Sequence, residues 1–191
     1  MPETKGEVGS EEIKAVFKVA SNRKKSAEEI QKYISGTPTF PIPEIKGRTK
    51  VFISYTEKAE NEKLVCLSKK FLRSLGFIPK TWKDSRPSSP LQEEIDRLIH
   101  ECPVLIAFIT KDSQNQETKL FHPSGNIPGE IETARALNHK VIRFYEKGTT
   151  IPSNIGSYYC YPFINELENY AELFIDMIKA LRKEGLLSYL L

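Results

Sequence analysis

The chain has 191 residues, 39% hydrophobic and 28% charged, with a formal net charge of +3. That is room for one globular domain and an extension. The small net charge, with no Lys/Arg face interleaved with aromatics, argues against direct nucleic-acid binding. No apolar run approaches the roughly 18 residues of a membrane span. Residues 1–6 lack the apolar core of a secretory signal. Cys66, Cys102 and Cys160 show no metal-ligand spacing, which argues against zinc and for a reducing, cytoplasmic setting.

Residues 1–48 read as a helical extension followed by a stiff linker. Ser10 caps a first helix carrying Ile13, Val16, Phe17 and Ala20. Ser26 with Glu29 has the spacing of a capping box for a second, with Ile30, Tyr33 and Ile34 on one face. Asn22-Arg23-Lys24-Lys25 is the solvated turn between them. Gly36 stops the second helix, and three prolines in 37–43 disfavour any continuation.

From Lys50 the pattern changes. Val51-Phe52-Ile53-Ser54-Tyr55 reads as a short strand buried on both faces. Leu64, Leu67, Phe71 and Leu75 then mark a helix that ends at Gly76. A second strand spans 77–82; its Pro79 cannot donate to a ladder, which puts the strand at a sheet edge. Residues 83–90 form a polar loop, and a helix follows with Leu91, Ile95, Leu98 and Cys102 on one stripe. The third strand is 104–109. An irregular polar stretch leads to a helix around Glu130, then come a fourth strand at 139–145, a weaker fifth at 158–163 and a last helix at about 167–183.

Alternating strands and helices predict an α/β fold: a five-stranded parallel sheet with helices on both faces. Right-handed crossovers and an edge position for strand two select the flavodoxin-like order 2-1-3-4-5. Its switch point lies between strands one and three, so a ligand should meet residues just after Ile53 and Ile109. Position on the helix singles out one acid there. At about 100° per residue, Ile127, Ile131, Ala134, Leu137 and Asn138 form one stripe; Glu130 lies on its flank and Glu132 near the opposite side. Glu132 is then a solvated acid. Glu130 is drawn toward the sheet, either as a first-turn acid that favours its helix dipole or as a cleft residue. Gly125 and Gly129 beside it would let a ligand approach the backbone.

In order and spacing, several segments over 49–163 resemble the Toll/interleukin-1 receptor (TIR) family. They are Val51-Phe52-Ile53-Ser54-Tyr55, Leu75-Gly76-Phe77, the loop Lys83-Asp84-Ser85-Arg86-Pro87, Ile95 to Thr110, Asn126 through Ala134, and Lys140-Val141-Ile142. The final helix fits as well, which makes 49–191 the TIR-like domain. One branch of that family is a signalling scaffold; another, with many bacterial and plant members, cleaves NAD⁺ with a glutamate that Glu130 matches. Where the family often has a tryptophan four residues earlier, this chain has Asn126. The resemblance also implies that Phe52 lies beside the nucleotide.

Around it, alternatives stay open. Phe52 is a nucleotide contact or core. Ser54 and Thr56 hold phosphate or ribose, or cap the next helix; Tyr55 shares their strand exit. Arg86 pairs with pyrophosphate or is a solvated loop residue. Trp82 stacks on adenine or anchors the sheet edge. His100, His122 and His139 lie on separate elements and suggest no catalysis, and no phosphate-binding glycine motif is present.

The functional expectation is an NAD⁺ glycohydrolase or cyclase, with NAD⁺ as substrate and no cofactor or metal. It would release nicotinamide and an ADP-ribose-type product, as a nucleotide-signalling enzyme in anti-phage defence. Self-association through TIR surfaces and an effector protein or nucleotide trigger belong to that expectation. The alternatives are a noncatalytic TIR adaptor assembling through the 83–90 loop and an enzyme resembling nucleoside deoxyribosyltransferases.

Overall fold

The computed structural model describes residues 49–85, 90–153 and 159–187. The helices and linker expected over 1–48, and Arg86, lie outside the described residues. Largely apolar runs become the central strands. β1 (Lys50–Tyr55) and β3 (Val104–Ile109) are buried along nearly their whole length, as strands covered on both faces must be. With β2 (Ile78–Lys80), β6 (Lys140–Glu146) and β7 (Tyr161–Phe163) they form one parallel sheet in the order β2-β1-β3-β6-β7. Pro79 does lie in an edge strand, where its missing N–H breaks no inner ladder.

Two apolar layers sandwich the sheet. α1 (Ala59–Ser74) and α4 (Tyr170–Lys183) pack with Val51, Ile53, Ile106, Phe108 and Phe144 on one face. α2 (Leu91–Glu101) and α3 (Asn126–Ala136) pack with Phe52, Leu105, Ala107 and Ile109 on the other. Successive strand residues alternate between these layers. Ser54 shares its parity with Phe52 and therefore points to the α2/α3 side. Gly76 (φ 89°) closes α1 and Asn138 (φ 57°) closes α3, both in the left-handed region that ends helices.

Three local expectations are corrected. The second strand is shorter than 77–82: Trp82–Asp84 turns into a 3-10 helix, held by a capping box in which the Thr81 backbone N–H donates to Asp84 Oδ2 at 2.7 Å. Leu91 does not join the buried stripe of α2. It is the helix's first residue, ahead of the turn that reaches the core, and is 52% exposed. The polar stretch after β3 is not wholly irregular: β4 (Ser113–Gln114) and β5 (Phe121–His122) form a small antiparallel hairpin. No helix among the described residues is long and apolar enough to cross a membrane.

Candidate active site

α3 packs on the sheet face of Phe52, Leu105, Ala107 and Ile109, with Ile127, Ile131 and Ala134 turned inward and essentially unexposed. That stripe fixes the rotation of the helix and with it the two acids. Glu132 is exposed and pairs with Arg135 at 2.8 Å. Glu130 is half-buried on the flank that faces the exit of β1. There it meets Ser54, which is 1% exposed and pairs in register with Ala107 of β3. The carboxyl therefore stands at the junction of β1 and β3, the topological switch point of this strand order.

Its surroundings are unfavourable to charge. Burial pushes the Glu130 carboxyl up from 4.5 to about 7; the Ser54 hydroxyl acts in the opposite direction, and the negative charge of Asp96 on α2 raises it further. Ser54 Oγ is buried and closes no hydrogen bond of standard geometry, so its dipole offsets little of the desolvation. Asp96 is itself held by the Gln92 side chain at 3.0 Å. The outcome is one carboxyl poised to change charge near neutral pH, a property that clusters at functional sites.

The seam between the β1 and β3 exits is tied at two levels. Inside, the Asn61 side-chain amide donates to the Thr56 carbonyl (2.9 Å) and to Thr110 Oγ1 (3.0 Å). Its oxygen accepts from Asn165 (3.0 Å), which in turn accepts from the Tyr170 hydroxyl (2.7 Å). Outside, the Lys58 ammonium reaches the Lys111 and Asp112 carbonyls and the Asp112 carboxylate at 3.3 Å.

The residues expected at the site separate into groups. Ser54 joins Glu130. Thr56 lies just beyond on the seam, 8% exposed. Phe52 is 1% exposed inside the α2/α3 layer and presents no free face. Tyr55 points to the other layer, its hydroxyl pushed up by burial and hydrogen-bonded to Trp82. Trp82 is half-buried against both apolar layers at the sheet edge, with the Lys83 ammonium 5.4 Å from its ring centre. Asn126 is exposed on the first turn of α3. Three participants had no assigned role from sequence: Asp96, Asn61 and the Lys58–Asp112 pair. Of these, Asn61 left a signal: with Ser68 it is one of two polar residues on the stripe that carries Leu64, Val65 and Leu72.

Gly125 and Gly129 border open space: a Cβ added at either meets no atom within 4 Å. Gly129 lies inside α3, so Gly129→Ala should raise stability by about 1 kcal/mol through helix propensity. Thermal unfolding of the two proteins checks this. A shallow cavity of about 50 Å³ lies between β6, β7 and the end of α4, walled by Arg143, Tyr159, Tyr161 and Lys183. It shares no residue with the Glu130 group and lies away from the β1/β3 switch point. Among the described residues no three His, Cys, Asp or Glu side chains gather as a metal-ligand set.

No family model and no curated protein matches the chain. Among solved structures it is similar to the Clostridium botulinum CMP N-glycosidase BcmB, with 19% identity and a TM-score of 0.45 over 66% of this chain and 99% of that one. A likeness of this size carries no argument about activity.

Proposed function

We propose that the protein cleaves the nicotinamide–ribose bond of NAD⁺, as a TIR-type glycohydrolase or cyclase. One observation carries the reading: the half-buried Glu130 carboxyl beside Ser54 at the β1/β3 switch point. A ligand crevice is expected there on topological grounds. The reaction asks little beyond one carboxylate. As the glycosidic bond breaks, nicotinamide leaves as a neutral molecule with the bonding electron pair, and positive charge develops on the ribose. An ionised Glu130 in a poorly solvated setting opposes that charge more strongly than it would in water. Water then adds to the ribose carbon and releases a proton, giving ADP-ribose; attack by a nucleophile of the same molecule gives a cyclic product.

The active form in this scheme is the carboxylate. The pH profile of kcat/KM, which reports groups of the free enzyme, should rise through about 7 and level off above it, because that is where Glu130 ionises. An ordinary glutamate would place the limb near 4.5. The test is product analysis of the purified full chain with NAD⁺ across pH, read by nicotinamide release. An acid limb at 4.5, or no nicotinamide at any pH, ends this reading. Glu132→Ala is the matched control. It removes only an exposed ion pair, so activity should persist and stability should change by less than about 0.5 kcal/mol.

A further inference from the structure

Asn61 is entirely buried, in the first turns of α1 and in line with Leu64, Val65 and Leu72. Asparagine is a poor choice there by helix propensity and by burial. What it gains is geometry. One side chain uses both amide hydrogens and its oxygen: the hydrogens reach the Thr56 carbonyl, just past β1, and Thr110 Oγ1, just past β3, and the oxygen accepts from Asn165. Asn165 sits past β7 and is held by Tyr170 of α4. Three strand exits are thus joined through one residue, next to the β1/β3 switch point.

We propose that Asn61 is a positioning residue for the Glu130 site: it pins Thr56 and Thr110 at a fixed separation just past β1 and β3, and so keeps the two strand exits beside Ser54 and Glu130 from parting. The inference rests on the reading of the Glu130 position as the substrate site. The backbone ladder holds Ser54 itself, opposite Ala107, but not the residues that follow. The last β1–β3 register pair is Tyr55–Phe108, so Thr56 and Thr110 lie past the end of the pairing. Beyond it the seam is crossed by the Asn61 amide within and the Lys58–Asp112 pair outside. The outer tie is half-exposed and therefore screened by salt. The inner tie is buried, so its loss leaves the Thr56 carbonyl without its partner.

The experiment compares wild type with Asn61→Leu, which fills the same space without donors. Thr110→Val removes one acceptor at nearly constant volume and keeps the test decisive where the leucine variant does not fold. Phe71→Leu is the control for general loosening. It disturbs the Phe71–Phe174 stack (4.6 Å between centroids) farther along the same helix as Asn61, away from the strand exits. Amide hydrogen exchange over 56–58 and 110–112 should quicken about tenfold in both seam variants, the equivalent of about 1.4 kcal/mol in local opening. The Glu130 carboxyl, followed by carbon NMR, should titrate closer to 4.5 than to 7 as water enters. Nicotinamide release should fall about tenfold in kcat, a barrier change of similar size. Phe71→Leu should do none of these. Unchanged exchange and titration in both seam variants, or the same changes in Phe71→Leu, would overturn the proposal. If wild type itself releases no nicotinamide, the NAD⁺ reading falls, and exchange with the Glu130 titration decides the positioning role without it.

Discussion

Glu130→Gln should abolish nicotinamide release while making the protein more stable at pH 8. The two effects have one cause. Above pH 7 the native state must keep an ionised carboxylate where burial and Asp96 disfavour it. Glutamine has nearly the same shape and no charge. Removing a charge-stabilising group from a transition state costs about a hundredfold or more in kcat. The stability effect follows from proton linkage. Between 4.5 and about 7 the folded protein holds a proton on Glu130 that the unfolded chain has released. Stability contributed by this group is present in full below about 4.5 and is lost as pH rises through about 7. At about 1.4 kcal/mol per pH unit, and allowing for partial solvent access, the ionised carboxylate costs on the order of 2–3 kcal/mol at pH 8.

The variant should therefore melt about 5 °C higher than wild type at pH 8, with the gap narrowing toward pH 5. Activity loss from unfolding would carry the opposite sign in Tm, so the pair of measurements separates chemistry from damage. A variant that keeps wild-type turnover, or that loses stability at pH 8, contradicts the assignment of Glu130.

The same residue marks how far the sequence can be read. Helical spacing placed Glu130 on the flank of the Ile127–Ile131–Ala134 stripe, because the rotation of a helix is set by which of its residues are buried. The strand order was legible from Pro79, which marks an edge strand, and from the right-handedness of crossovers. The elevated proton affinity of Glu130 was not, since it depends on Ser54 and Asp96, which reach it only through tertiary packing. Nor was the β4–β5 hairpin: strands of two residues have no measurable alternation. Leu91 misled because periodicity reports a face and not where along the helix contact with the core begins. Asn61 was visible as a polar interruption of an apolar stripe, but its three partners are 5, 49 and 104 residues away.

Phe52→Ala should cost about 3–5 kcal/mol, a large share of the 5–15 kcal/mol typical of a domain. Phe52 is the one aromatic at the mouth of β1 whose two readings, nucleotide wall and core, predict different measurements. It is 1% exposed, pairs with Lys80 on one side and Leu105 on the other, and packs among Ile95, Leu98, Ile99 and Ile127. Deleting the ring removes its transfer free energy and leaves a cavity bounded by a central strand and two helices, which collapse only in part. Urea unfolding should show the midpoint moving down with little change in slope.

A gentler change isolates function. Phe52→Leu keeps most of the volume and should cost about 1.5 kcal/mol, leaving enough folded protein to assay. With the ring inside the α2/α3 layer, KM for NAD⁺ should stay within about twofold of wild type, a difference under about 0.5 kcal/mol. A KM raised tenfold or more in Phe52→Leu, at unchanged stability, would mean that the ring leaves the core to meet the nucleotide. The crevice beside Glu130 would then open by repacking β1 rather than by parting the loops past its end.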